Sequence, residues 1–248
     1  MAKQTLIVLL PPEQAQALSG TQRFPAHRAY RLGKEGHLFR SSALNARGGL
    51  MAVDGRGLEG PVDPAPFCQE ILRECGARNF RGVVCLLGEG RTPQLCRTVQ
   101  LLGDRLSHQK LTFYVPEQYA GCSSHARALV SSAVSGGSLE QRLRDVLGRY
   151  GQERVVLFLE RRAEDFFLPS PTGSGQPLSR EALRELMDRT QPSVFFSQEL
   201  CARYFTYMSR ESGAHFVLYD DGETLVKKME VSQKLGVRWA MGMWEDLG

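Results

Sequence analysis

Short apolar, β-branched runs alternate with longer amphipathic stretches along the chain, and this alternation limits the folds that are open to it. Eight runs are predicted to be strands, at 5–10, 27–32, 49–54, 82–87, 111–115, 128–134, 154–159 and 238–243. Strands that alternate with helices are typical of βα units around a parallel sheet. Eight such units in 248 residues predict an α/β fold, a (β/α)8 TIM barrel built by a single domain over 1–248.

The amphipathic stretches predict helices between these strands. They lie at 66–75, 92–106, 139–150, 180–189 and 223–235. Two further strand-like runs, 202–208 and 215–219, are joined by a polar turn and come before the last helix. They predict a small α+β insertion at about 194–221. Closure of the barrel requires the first and last predicted strands to pair.

Charge, hydropathy and cysteine spacing exclude several classes of function. The formal charge is +4 and the basic residues are dispersed, so neither nucleic acid nor a membrane is an expected partner. The N-terminal apolar run ends at Pro11. This run is too short for a signal peptide, so a cytoplasmic protein is predicted. The six cysteines form no CxxC pair and no cluster with the five histidines. This spacing indicates a reducing compartment and no metal site, and no cofactor is predicted.

The stretch 204–244, YFTYMSRESGAHFVLYDDGETLVKKMEVSQKLGVRWAMGMW, resembles the end of a glycoside hydrolase family 18 (chitinase-like) domain. The nearest relatives by this resemblance are bacterial spore-coat and spore-cortex N-acetylglucosaminidases. AYRLGKEGHLFR at 29–40 is similar to the second strand of that family, and ERVVLFLERRAEDFFLP at 153–169 is similar to the seventh. The resemblance covers the whole chain in matching order and implies the same barrel.

The fourth strand of that family carries its catalytic acids in the pattern Phe-Asp-Gly-x-Asp-x-Asp-x-Glu. The corresponding stretch here is FRGVVCLLG at 80–88, where Val84, Leu86 and Gly88 replace the last three acids. The family's glutamate protonates the glycosidic oxygen while the substrate's own N-acetyl group attacks the anomeric carbon. The resemblance therefore implies a degenerate homologue, a pseudoenzyme that binds an N-acetylglucosamine-containing glycan without cleaving it.

A glycosidase with relocated acids is the first alternative, and its candidate catalytic residues are Glu89, Glu117 and Glu160. Each follows a predicted strand, at the end where barrel enzymes hold their chemistry. Glu89 comes one residue late, so the alternation of side chains would turn it away from the barrel interior unless a bulge redirects it. The competing interpretation of all three is a solvated loop carboxylate.

Three residues are candidates for ligand binding. Trp244 stands where the family places a tryptophan beneath the sugar ring, and Tyr30 on the second strand is a weaker sugar-contact candidate. Asp54 lies at the carboxyl end of the third predicted strand. Trp244 could equally be core, and for Tyr30 core packing is the favoured interpretation. If both are core, a structural or interaction protein of a bacterial spore layer, deposited on the spore, is the remaining alternative.

Overall fold

Eight parallel strands close into a barrel in the computed structural model, which describes residues 4–18, 23–33, 36–40, 46–56, 63–170, 173–210 and 213–247. The barrel strands in chain order are β1 (Thr5–Leu10), β2 (Arg23–Leu32), β4 (Leu50–Gly55), β5 (Gly82–Leu87), β6 (Thr112–Pro116), β7 (Ala126–Ser131), β8 (Val155–Leu159) and β14 (Trp239–Met243). A short strand, β3 (Leu38–Arg40), pairs antiparallel with β2. The turn at 34–35, within the motif that resembles the second strand, lies outside the described residues.

The first and last strands close the barrel, as the sequence predicts. Ile7 lies opposite Met241, and β1 also pairs in parallel with β2 on its other side. Alternate residues of β1 face different layers: Ile7 and Leu9 belong to the cluster inside the barrel, while Val8 and Leu10 pack outside it. Strands that are buried on both faces explain why the runs are almost continuously apolar.

The helices are α1 (Pro64–Arg78), α2 (Pro93–His108), α3 (Glu117–Ala120), α4 (Leu139–Tyr150), α5 (Arg180–Thr190), α6 (Gly222–Lys234) and α7 (Trp244–Leu247). Polar side chains cap the starts of several helices by accepting hydrogen bonds from free backbone N–H groups. Ser138 caps α4, and Asp221 caps α6 in a reciprocal capping box with Thr224. Helices α1, α2, α4 and α6 contribute to the outer layer that covers the apolar strands.

A second sheet of five antiparallel strands forms the insertion between β8 and α6. Its strands are β9 (Ala163–Phe167), β10 (Gln176–Pro177), β11 (Phe195–Ser197), β12 (Ala202–Ser209) and β13 (Gly213–Tyr219). It therefore begins at Ala163, earlier than the position of about 194 expected from the sequence. Helix α5 packs on this sheet, with Leu186 against Phe205 and Val217. Amphipathic periodicity predicts a helix but does not say which sheet it covers.

Cys96 at the start of α2 and Cys122 just after α3 form a disulfide across 26 residues. The interpretation of all six cysteines as reduced thiols is therefore wrong for this pair, which only the barrel brings together. Cys68, Cys75, Cys85 and Cys201 are free and buried. Within the described ranges no helix is long and apolar enough to span a membrane, and no group of three or more His, Cys, Asp or Glu side chains could hold a metal ion.

Candidate functional site

A cleft of about 660 Å³ opens at the carboxyl ends of the barrel strands. Its floor is apolar and consists of Leu86, Leu129, Phe158 and Met243, which come from four different strands. Each of these side chains points into the barrel because it occupies an inward position of its strand. Polar and charged side chains from the following loops and helices form the rim. A concave site with an apolar base and a few polar groups is typical of small-ligand binding.

β5 is the fourth strand of the barrel in chain order. Val84 and Leu86 belong to the interior cluster, and Leu86 and Gly88 line the cleft. The intervening Val83 and Cys85 face the helices. A Cβ atom added at Gly88 would lie 3.3 Å from the backbone oxygen of Arg56, so the loop after β4 limits the space for a side chain there. The inward positions of β5 therefore offer no acid to the cleft.

Glu160 is a carboxylate at the inward edge of the cleft. It follows β8 in the same alternation as Phe158, and its side chain is 22% exposed. The Ser131 hydroxyl and the Arg162 guanidinium both donate hydrogen bonds to its carboxylate, the second at 3.1 Å. Both carboxylate oxygens therefore already have partners within the protein.

Glu117 and Glu89 line the same cleft, so the fold brings together all three candidates for relocated acids. Glu117 opens α3 and is 17% exposed. Its carboxylate contacts Arg142 at 2.7 Å and Arg149 at 3.8 Å, both from α4. Glu89 is exposed on the rim, in the loop after Gly88. The carboxylate of Glu117 is thus held by guanidinium groups of the protein, whereas Glu89 is exposed.

Asp54, the penultimate residue of β4, pairs with Arg56, whose Nη2 lies 2.5 Å from Oδ2. The hydrogen bonds from the Arg56 guanidinium hold the pKa of Asp54 below its usual value. Arg56 lines the cleft. The hydrogen bonds to Asp54 therefore orient the guanidinium group of Arg56 at the cleft.

Trp244 and Tyr30 lie outside the cleft. Trp244 is half-buried at the start of α7 and packs on the outer side of β1 against the cluster of Val8, Leu10 and Leu18, while Met243 lines the cleft. Tyr30 is 3% exposed among the residues that pack against α1. Its hydroxyl donates a 2.8 Å hydrogen bond to Glu74, and burial raises its pKa. Since strand side chains alternate, an offset of one residue is enough to move a ring from the interior to the helix layer.

The sequence analysis did not predict several arginines that lie on the rim. Arg91 follows β5, Arg142 and Arg149 lie on α4, and Arg162 follows β8. Arg142 and Arg149 are seven residues apart, which places them on one face of the helix. That spacing is the one signal in the sequence that could have paired them, but it does not reveal that this face meets the barrel mouth.

Comparisons with known proteins define the fold. No family model matches the sequence, and no curated protein matches it. Solved structures do match, and their common fold is the (β/α)8 barrel of glycoside hydrolase family 18 type. A chitinase from Chromobacterium violaceum ATCC 12472 has a TM-score of 0.67 at 10% identity, over 97% of this chain and 93% of its own.

The spore cortex-lytic enzyme SleL of Bacillus megaterium QM B1551 also has this barrel. Its TM-score is 0.65 at 14% identity, over 98% of this chain and 71% of its own. A mutant family 18 chitinase from Cycas revoluta in complex with (GlcNAc)4 has a TM-score of 0.61 at 12% identity, over 97% of this chain and 94% of its own. At these identities the similarity establishes a shared fold, close to that of SleL.

Proposed function

We propose that this protein binds an N-acetylglucosamine-containing glycan in the cleft at the barrel mouth and does not cleave it. The observation that carries the proposal is an open cleft whose inward positions on β5 are Val84, Leu86 and Gly88. The cleft supplies what a sugar ligand needs, an apolar floor for the faces of the rings and hydrogen-bonding groups at the rim. The Cycas revoluta neighbour, which has the same fold, holds (GlcNAc)4.

The lack of cleavage follows from the missing proton donor. General acid catalysis typically contributes about 10² to 10⁴ in rate, and the family's donor position is Gly88, which has no side chain. Glu160 is the nearest inward substitute, but Ser131 and Arg162 already engage its carboxylate. Binding needs neither the donor nor the acids that orient the acetamido group.

A glycosidase that uses Glu160 is the second candidate, and the inward position of this carboxylate favours it. The two functions are separated by turnover of an aryl N-acetylglucosaminide. We expect no turnover by the wild-type protein. Turnover that disappears in Glu160→Gln and persists in Glu164→Gln, a nearby acid outside this cleft, would replace the binding proposal with the enzymatic one.

Binding itself is tested by titration with N-acetylglucosamine oligomers, followed by calorimetry. Phe158→Leu keeps an apolar side chain but removes the ring from the floor, so we expect weaker binding by the variant. Phe167→Leu on the insertion sheet, where the ring is 51% exposed, is the matched control and should bind as the wild type does. If the wild type binds no oligomer, the structural role in a spore layer, suggested by the similarity to SleL, becomes the better proposal.

A further inference from the structure

The rim of the cleft carries more positive than negative side chains. Five arginines and three glutamates line it. Two of the arginines have acid partners of their own: Arg56 pairs with Asp54, and Arg162 contacts Glu160 at 3.1 Å. The remaining three come from the loop after β5 and from α4, which follows β7, two strands further along the barrel. They are Arg91, Arg142 and Arg149.

The acids of the rim do not saturate these three guanidinium groups. Glu117 serves two arginines at once, Arg142 at 2.7 Å and Arg149 at 3.8 Å. Arg91 donates from Nε to the Cys96 sulfur at 3.1 Å, and it forms no ion pair with another described residue. Each guanidinium has five N–H donors, and a carboxylate accepts about four hydrogen bonds in all, so donors remain free to bind a ligand.

The free donors are accessible and well positioned. The side chains of Arg142 and Arg149 are 41% and 63% exposed, yet both stems rise from the same face of one capped helix. Arg149 also lies over the Tyr150 ring, with its carbon Cζ 5.9 Å from the centroid, which restricts its movement. Planar guanidinium groups match the oxygens of carboxylate, sulfate and phosphate through pairs of parallel hydrogen bonds.

We infer that the ligand of this cleft is a glycan that carries a negatively charged substituent, and that Arg91, Arg142 and Arg149 bind that substituent while the sugar ring lies on the apolar floor. The inference rests on the proposed function and specifies its ligand class. A carboxylate, a sulfate and a phosphate share the required chemistry, so the test includes one sugar of each kind.

The experiment is a titration followed by ligand-observed NMR at low ionic strength, where charge interactions are least screened. The probes are N-acetylglucosamine, its 6-phosphate, its 6-sulfate, and N-acetylmuramic acid, which carries a carboxylate. We expect at least one charged sugar to bind about five- to tenfold more tightly than the neutral one, and added salt to reduce the difference. The tightest of the three identifies the substituent.

Variants assign the effect to the named side chains. Arg142→Gln combined with Arg149→Gln should remove most of the preference for the charged sugar, measured as the ratio of its affinity to that of the neutral sugar for the same variant. Arg144→Gln is the matched control, because Arg144 lies on the same helix and pairs with Glu140 away from the cleft. Glu117→Gln should strengthen binding of the charged sugar, since it removes the carboxylate that competes for both guanidinium groups. A purely structural role of these arginines would not produce that gain.

The outcomes separate this inference from the proposed function. Equal binding of neutral and charged sugars would overturn the inference and leave the proposed function standing. No binding of any sugar or oligomer would overturn both. Inorganic phosphate that competes as effectively as the sugar phosphate would also overturn the inference, because the rim would then be a simple anion site rather than a glycan site.

Discussion

Replacement of Lys228 by methionine is expected to destabilise the fold strongly, because it breaks an ion pair that is almost fully buried. The side chain of Lys228 on α6 is 1% exposed, and its Nζ lies 2.6 Å from Oδ1 of Asp220, whose side chain is 4% exposed. Asp220 follows β13, so the pair joins the last strand of the insertion to a helix of the barrel. Thr224 donates a further hydrogen bond to Asp220 at 2.9 Å.

The magnitude follows from the charge that the substitution leaves behind. Removing one partner of a buried pair typically costs about 3 to 5 kcal/mol, since the other charge stays desolvated and unpaired. For a chain of this length, a change of 1 kcal/mol shifts the melting temperature by about 2 to 4 °C, which predicts a drop of about 6 to 20 °C. Methionine preserves most of the volume of lysine, so loss of packing adds little.

The assay is urea and thermal denaturation of Lys228→Met, with Lys227→Met as the matched control. Lys227 is the adjacent residue of α6, but its side chain is 56% exposed and it pairs with Glu230 at the surface. Its substitution should change the free energy of unfolding by less than about 1 kcal/mol. Adding Asp220→Asn to Lys228→Met should restore part of the loss, because it neutralises the unpaired acid. A Lys228→Met protein within about 1 kcal/mol of the wild type would refute the reasoning.

Three further predictions concern the core, the disulfide and pH. Trp244→Ala should lower the free energy of unfolding by about 2 kcal/mol and leave glycan binding unchanged, because the ring packs on the outer side of β1. Loss of glycan binding with an unchanged melting temperature would instead show that the Trp244 ring contacts the sugar. Reduction of the Cys96–Cys122 disulfide, which spans 26 residues, should lower the free energy of unfolding by about 3.5 kcal/mol by the loop-entropy relation. Cys122→Ser should lower it by the same amount in denaturation experiments, and an unchanged free energy of unfolding after reduction would contradict the prediction. Burial lowers the pKa of His27 from 6.5, so the unfolded chain alone takes up a proton as pH falls through that value, and stability should decrease there. His27→Leu should flatten this dependence in urea titrations at several pH values, and an unchanged slope would exclude His27 as its source.

Local sequence patterns determined most of the secondary structure. The eight predicted strands agree with the barrel strands to within a few residues, and 139–150 matches α4. The reason is physical: strands buried on both faces must be apolar throughout, and helices that cover them must be apolar on one side. Pairing of the first and last strands also followed, because eight βα units leave no other closed arrangement.

The absence of acids from β5 was likewise visible in the sequence, where Val84 and Leu86 follow the alternation of a strand. The same alternation limited the choice of site residues. Trp244 and Glu89 each come one residue after an inward position, Met243 and Gly88, and a shift of one residue reverses the side of the strand. The structure places Trp244 outside the cleft and Glu89 on its rim.

Tertiary structure alone decided which separated residues meet. Arg91, Arg142 and Glu117 come from three different connections, and no local pattern specifies their convergence on one cleft. Cys96 and Cys122 pair for the same reason, as does Lys228 with Asp220 across the edge of the insertion. The sequence thus determined the barrel and the absence of acids from its fourth strand, since both depend on the period of a single element. The charge and shape of the mouth depend on how loops from different elements fold over it, and only the assembled barrel fixes that.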